Sequence, residues 1–98
     1  MRLNQLEQDS IINLAKTYFG KTVKVILFGS RVYDNIKGGD IDILIDTQDK
    51  KQLTVKNKLL FLVALKNDIG EQRIDVILNT SLSKNIIKTA FKTGVRLC

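Results

Sequence analysis

Residues 40–46 read DIDILID and carry the clearest structural signal of the chain, because isoleucine recurs at every second position. That two-residue period predicts a β-strand with one apolar face. The isoleucines face one side, and the opposite side carries Asp40, Asp42, Leu44 and Asp46. Successive side chains on one face of a strand lie roughly 6–7 Å apart at the backbone. The stretch therefore predicts a strand that holds the carboxylates of Asp40 and Asp42 side by side.

The sequence before this strand predicts one helix and one further strand. Apolar residues recur at helical spacing from Asn4 to Phe19, Asn4 and Glu7 match a capping box, and Gly20 is a suitable stop. β-Branched residues are then frequent from Thr22 to Phe28, which predicts a strand.

The sequence after residues 40–46 predicts two more helices, a third strand and a short additional strand. These are a helix from Gln52 to Asn67, a strand from Glu71 to Leu78, a helix from Lys84 to Thr93 capped by Ser81 or Ser83 and ended by Gly94, and a short strand at Val95-Arg96-Leu97. The order α-β-β-α-β-α predicts one domain over residues 1–98. Its expected class is α/β (α+β), with a small mixed β-sheet packed against three main helices.

The composition excludes several classes of enzyme. The chain has no His, which rules out a Ser-His-Asp or Cys-His nucleophile, a His general base and an HExxH zinc site. A single Cys gives neither an intramolecular disulfide nor a zinc ribbon. Any metal site must use carboxylates and backbone oxygens, which favour Mg²⁺, Mn²⁺ or Ca²⁺.

Charge is distributed unevenly along the chain. The net charge is +6, yet residues 31–50 carry three basic and five acidic side chains, so an acidic segment lies within a basic chain. The Lys excess fits either a solvated helix surface or a field that attracts polyanions. The longest purely apolar run, Leu59 to Leu65, has seven residues, whereas a membrane span needs about 20. Together with the lone Cys98, this predicts a cytoplasmic protein without membrane association.

A second polar segment lies between the first two predicted strands. Gly29 follows the apolar end of the first strand, where it permits an unusual backbone angle and the close approach of a ligand. Ser30 offers an N–H and a hydroxyl to a phosphate, and Arg31 offers a cation that can hold a phosphate oxygen. A Gly-Ser pair alone is usually just a turn. Followed by Asp40 and Asp42, it predicts a site for a nucleotide with Mg²⁺.

Asp75 is a third carboxylate, within the otherwise apolar run from Ile74 to Leu78. A buried Asp without a partner would cost on the order of 2–7 kcal/mol. Asp75 is therefore expected to join Asp40 and Asp42 around a metal, to face solvent, or to pair with Arg73. A simpler interpretation of Asp40 and Asp42 is that they belong to a solvated polar surface of the strand and bind no metal.

Taken together, these motifs resemble the minimal nucleotidyltransferase (MNT) domain of the DNA polymerase beta superfamily. The resemblance covers nearly the whole chain and rests on Gly29-Ser30-Arg31, Gly39-Asp40-Ile41-Asp42-Ile43-Leu44-Ile45 and Ile74-Asp75-Val76. It implies the polymerase beta-like nucleotidyltransferase fold, with Asp40, Asp42 and Asp75 as catalytic residues that bind two Mg²⁺ ions, or Mn²⁺. It also implies that the turn at residues 29–31 binds the triphosphate of ATP or another nucleoside triphosphate.

The same resemblance implies a reaction and a partner. Stand-alone MNT proteins resemble the antitoxin of HEPN/MNT toxin–antitoxin pairs, in which the MNT protein binds a helical HEPN ribonuclease and can attach AMP to its tyrosine. The chain is then expected to be a Mg²⁺-dependent nucleotidyltransferase that moves AMP from ATP to a hydroxyl of this partner.

Two other functions stay open from the sequence. A non-catalytic binding module would inhibit its partner by occlusion, with the three aspartates idle. A nucleic-acid-binding protein would use the basic surface, but the aromatic residues are not interleaved with lysines, which argues against nucleic acid as the main partner. The apolar stripe Ile86, Ile87 and Phe91 on the last helix fits either a docking surface or ordinary core packing.

Overall fold

The computed structural model describes residues 1–33, 39–80 and 84–98, and it confirms the α/β class with a mixed sheet. The elements are α1 (Gln5–Phe19), β1 (Lys24–Phe28), β2 (Ile41–Asp46), α2 (Val55–Ile69), β3 (Ile74–Leu78), α3 (Lys84–Thr93) and β4 (Val95–Arg96), with 3₁₀ turns at Gly29–Val32 and Lys50–Gln52. Within these described residues, no helix has the length and apolar character needed to cross a membrane.

The sheet brings distant parts of the sequence together. Its strands lie in the order β3-β2-β1-β4. β1 pairs antiparallel with β2 and with β4, whereas β2 and β3 run parallel because α2 carries the chain back across the sheet. In this register Asp42 on β2 has Phe28 of β1 on one side and Asp75 of β3 on the other. Two of the predicted site aspartates are therefore cross-strand neighbours.

The two faces of the sheet are covered by different helices. One face packs on α1 and α2 and holds the main core, which includes the isoleucines of β2 and the edge-to-face pair Phe19 and Phe61. The other face is partly covered by α3, where Leu44 and Ile87 belong to a smaller cluster. The alternation predicted for residues 40–46 is confirmed. The idea that the aspartate face is only a solvated surface is wrong at Leu44, which is fully buried.

The apolar stripe of α3 is divided between two roles. Ile87 is buried in the smaller cluster, which confirms core packing for that residue. Ile86 and Phe91 are 45% and 48% exposed, so they contribute little to this core.

The start of α2 differs from the sequence prediction. The helix begins at Val55, after the N-cap Thr54, and not at Gln52. Residues 50–52 form a separate 3₁₀ turn, in which the Asp49 side chain accepts a hydrogen bond from the Lys51 N–H. The helix starts after Thr54 because the Thr54 backbone is extended and its side chain accepts a hydrogen bond from the Asn57 N–H. Ser81 and Ser83, the predicted caps of α3, lie outside the described residues.

β1 and β3 begin two or three residues later than predicted, at the residues that pair with the two ends of β2. β1 begins at Lys24 and not at Thr22, and β3 begins at Ile74 and not at Glu71. Lys24 pairs with the last residue of β2, and Ile74 pairs with the first. Beyond those two points the register pairs no further residue with β2, although the Arg73 carbonyl still accepts a hydrogen bond from the Ile41 N–H.

The start of α1 confirms the predicted capping box and offers a test of it. The Asn4 side chain accepts from the Glu7 N–H at 2.8 Å, and Glu7 Oε1 accepts from the Asn4 N–H at 3.0 Å. We expect Asn4→Ala to lower the free energy of unfolding by about 1 kcal/mol. Chemical denaturation measures this, with Asn13→Ala at an exposed position of the same helix as the control. Equal stability of the two variants would contradict the capping role.

Candidate active site

The face of the sheet that α3 only partly covers contains a cleft beside the aspartates. The cleft has a volume of about 380 Å³ and is lined by Phe28, Asp42, Asp75, Ile77, Asn85, Ile86 and Thr89. Its floor is the cross-strand row Phe28, Asp42 and Asp75, and its wall is the first part of α3. Apolar side chains and carboxylates thus meet in one concave site, a combination typical of ligand-binding clefts.

Asp42 is partly buried in this cleft and lies close to two other negative charges, those of Asp75 and Asp40. Burial, followed by the negative charges of Asp75 and Asp40, raises the pKa of Asp42 above its ordinary value of 3.8. Among the described residues, no lysine or arginine forms an ion pair with any of these three aspartates. Their negative charge is therefore not neutralised by a close cation of the described part of the chain, which is the setting that a divalent cation would stabilise.

Asp75 avoids the cost of burial by exposure. It lies on β3, the edge strand at this end of the sheet, and its side chain is exposed. Asp75 and Arg73 are both described, and no ion pair joins them, so the salt-bridge alternative is not observed. The two residues instead line a small depression of about 200 Å³, together with Asp40 and Lys66. Asp75 thus borders both the cleft and this depression.

The aspartates fit a magnesium or manganese site in the chemistry of their side chains. Carboxylate oxygens are the ligands that these hard cations prefer, and Asp42 and Asp75 occupy paired positions on adjacent strands. Within residues 1–33, 39–80 and 84–98, however, no three Asp, Glu, His or Cys side chains are gathered closely enough to hold a metal ion. Asp40, Asp42 and Asp75 are the residues that would hold the cation: Asp42 and Asp75 line the cleft, and Asp40 lines the neighbouring depression.

The Gly-Ser turn packs directly against the aspartate strand. Gly29 has φ +74°, which confirms the unusual backbone angle predicted for it, and a Cβ there would overlap the Oδ2 atom of Asp42. A Cβ at Gly39, where φ is +91°, would overlap the Oγ atom of Ser30. Each glycine therefore allows a close approach as well as a left-handed backbone. The turn thus packs against Asp42 and against Gly39, the residue directly before Asp40.

Arg31 is engaged by the protein itself. Its Nε donates to the Gly39 carbonyl at 3.2 Å, its Nη1 to the Arg2 carbonyl at 3.0 Å, and its Nη2 to Gln72 Oε1 at 3.2 Å. All three guanidinium nitrogens thus donate to protein acceptors. Phosphate binding by Arg31 stays a prediction, and the hydrogen bonds show a second role for the side chain.

Several residues in and around the site were not predicted from the sequence, among them Phe28, Arg2 and Gln72. Phe28 forms part of the cleft floor, and its signal was its place directly before Gly29. Arg2 and Gln72 both contact Arg31, but they lie 70 positions apart (72 minus 2), and no local pattern connects them. Only the folded arrangement identifies them.

Comparison with known proteins adds one family and two solved structures. The family model described as polymerase beta, nucleotidyltransferase, matches residues 9–98. No curated protein matches the chain. The chain is similar to a chain in a solved structure of the tri-AMPylated HEPN toxin of Shewanella oneidensis in complex with an MNT antitoxin. The TM-score is 0.73 and the sequence identity is 22%, and the match covers 98% of this chain and 72% of the other chain. It is also similar to a chain in a crystal structure of a mutant MntA–HpeT toxin–antitoxin. The TM-score is 0.76 and the sequence identity is 20%, and the match covers 98% of this chain and 73% of the other chain.

Proposed function

The chain belongs to the polymerase beta nucleotidyltransferase family, and from this premise we propose that it transfers AMP from ATP to a hydroxyl group of a protein partner. The observation that carries the proposal is the cross-strand pair Asp42 and Asp75, with Asp40 close enough to raise the pKa of Asp42. Gly29 packs against the same carboxylate. Carboxylates beside a glycine-containing turn that phosphate oxygens can approach closely suit transfer from a nucleotide–metal complex.

In the proposed reaction, the aspartates serve the metal ions and the Gly-Ser turn serves the phosphates. Asp40, Asp42 and Asp75 would hold two Mg²⁺ ions, or Mn²⁺, and the cations when bound would stabilise negative charge on the attacking and leaving oxygens. Ser30 donates its N–H and hydroxyl to phosphate oxygens, and Gly29 gives the triphosphate a side-chain-free approach.

In the proposed reaction, the acceptor hydroxyl of the partner enters from the open side of the cleft. Asp75 is exposed there and can accept the hydroxyl proton, while Phe28 and Ile86 offer apolar contact to the acceptor side chain. The acceptor oxygen then bonds to the α-phosphorus of ATP, the bond from that phosphorus to the bridging oxygen breaks, and pyrophosphate leaves.

The proposed partner is a HEPN-type toxin, with this chain as its antitoxin. Support comes from the two similar structures, in which an MNT antitoxin is complexed with a HEPN toxin and MntA with HpeT. The proposal places the pair in the cytoplasm, as predicted from the lone Cys98, and it assigns no main role to nucleic acid or membranes.

The proposal is tested by intact-mass analysis of the partner after incubation with this protein, Mg²⁺ and ATP. We expect the partner to gain the mass of one or more AMP units. The gain should be absent for Asp40→Asn/Asp42→Asn and present for Asp46→Asn, which changes an aspartate of the same strand face that is paired with Lys50 and not in the cleft. A stable complex without any mass gain would contradict transfer.

A second function, inhibition by occlusion, is favoured by one observation. The three aspartates are not gathered into a metal-holding group within the described part of the chain. A variant with Asp40, Asp42 and Asp75 all changed to Asn distinguishes the two functions. If the triple variant still neutralises the partner, occlusion is supported. If the variant still binds the partner but no longer neutralises it, transfer is supported.

A further inference from the structure

Arg31 connects three separate segments around the Gly-Ser turn. Its guanidinium donates to Gly39, the residue directly before Asp40, to Arg2 in the N-terminal segment, and to Gln72 just before β3. The backbone strengthens this connection, because the Arg2 N–H donates to the Arg31 carbonyl at 2.7 Å. The side chain thus spans the distance between the turn and the start of the aspartate strand.

Arg2 holds the same turn from the other side. Its Nε donates to the Tyr33 carbonyl at 2.8 Å, and its Nη2 donates to the Ser30 carbonyl at 3.0 Å. These carbonyls lie at the two ends of the turn segment that contains Arg31. Arg31 therefore bonds to the backbone of Arg2, and Arg2 bonds to the backbone of the turn that contains Arg31.

The network is anchored in the core through Gln72. Gln72 Oε1 accepts from Arg31, while its Nε2 donates to Glu7 Oε2 at 2.7 Å. Glu7 is only 8% exposed, and its other oxygen completes the capping box of α1. A planar guanidinium can serve acceptors in several directions at once, whereas a lysine ammonium on the same backbone is a single point charge. The hydrogen bonds thus require arginine rather than positive charge alone.

We propose that Arg31 is a positioning residue, which fixes the phosphate-binding turn relative to Asp40 and Asp42, with Arg2 supporting the same turn. Its effect on catalysis rests on the transfer function proposed above. Transfer requires the triphosphate and the carboxylates to be held within a fraction of an ångström of the reactive geometry. The competing role is a direct ionic contact of Arg31 with a phosphate.

Hydrogen exchange of the nucleotide-free and metal-free protein tests the positioning role by itself. We expect Arg31→Lys and Arg31→Gln alike to speed the exchange of amides at residues 30–33 and 39–41 by about tenfold or more, since both lose the hydrogen bonds to Gly39 and Gln72. Arg96→Gln is the matched control, because Arg96 makes a single hydrogen bond to the Cys98 carbonyl. If either Arg31 variant fails to fold, Arg2→Gln gives the same readout at Ser30 and Tyr33.

Kinetics with ATP, Mg²⁺ and the partner separate the two roles. Positioning predicts that kcat falls by about tenfold or more in Arg31→Lys and Arg31→Gln alike, with KM for ATP little changed. A direct phosphate contact predicts a raised KM in Arg31→Gln that Arg31→Lys largely restores. That pattern, with wild-type exchange rates in both variants, would overturn the inference. A wild-type protein that transfers no AMP overturns the proposed function instead, and hydrogen exchange still decides the role of Arg31.

Discussion

Asp42→Asn is expected to slow nucleotide transfer severely and, at the same time, to make the metal-free protein slightly more stable. Asn keeps the shape of the side chain but removes the negative charge that would hold a cation. Charge stabilisation by a bound cation is worth several kcal/mol in the transition state, so the rate of AMP transfer should fall on the order of 10³-fold. The binding of Mn²⁺ to the protein without nucleotide should weaken in parallel.

The stability gain follows from the environment of Asp42 in the folded state. Burial and the charges of Asp75 and Asp40 raise its pKa, which means that ionised Asp42 opposes folding. Removing the charge at neutral pH should raise the free energy of unfolding, by less than about 1 kcal/mol because Asp42 is only partly buried and solvent screens the repulsion.

The same shift predicts a pH dependence. Between the raised pKa of Asp42 and its ordinary value of 3.8, the folded protein binds more protons than the unfolded chain. The contribution of Asp42 to wild-type stability should therefore improve as pH falls through this window, and the advantage of Asp42→Asn should shrink. Denaturation in the presence of a chelator, from neutral pH downwards, measures this difference.

Asp46→Asn is the matched control and should behave in the opposite way. Burial alone would raise the pKa of Asp46, but hydrogen bonds from Lys50, Asn79 and Thr47 and the charge of Lys50 lower it overall. Its ionised form therefore supports folding above its unfolded pKa. Asp46→Asn should lose stability at neutral pH and keep transfer activity. Equal activity of Asp42→Asn and wild type would contradict the assignment of Asp42, and a stability loss in Asp42→Asn would contradict the repulsion.

Local signals were sufficient to predict the elements of the fold. The isoleucine spacing in residues 40–46 identified β2, and Asn4 with Glu7 identified the start of α1. These signals lie within a few residues, so the sequence carries them directly. The burial of Leu44 could not be predicted in this way, because the alternation shows which residues share a face and not that Ile87 on a distant helix covers it.

The sequence singles out Asp42, Asp75 and Gly29 as candidate residues, but it does not give their arrangement in space. Asp42 and Asp75 are 33 positions apart (75 minus 42), and their adjacency depends on the register of β2 against β3. The packing of Gly29 on Asp42 depends on the pairing of β1 with β2. The use of Arg31 inside the protein depends on Gln72, 41 positions away. Each of these features is a long-range contact, which no short motif encodes.

Gly29→Ala is expected to lower both stability and nucleotide transfer, the second more than the first. The residue has φ +74°, where an L side chain costs about 1–2 kcal/mol. The new methyl group would also overlap Asp42 Oδ2. Because that atom ends a side chain that can rotate, the fold should survive while the carboxylate is displaced from the cleft floor. A displacement of about 1 Å costs on the order of 10²-fold in rate.

Gly70→Ala separates backbone strain from displacement of the carboxylate. Gly70 has φ +93°, and a Cβ there would meet no atom within 4 Å, so the change introduces a similar strain without touching the site. We expect the two variants to lose similar stability by chemical denaturation, whereas only Gly29→Ala should lose AMP transfer and Mn²⁺ affinity. If Gly70→Ala lost as much activity as Gly29→Ala, general destabilisation would explain both results. A selective loss in Gly29→Ala would show that this glycine is required because Asp42 occupies the space of its missing side chain.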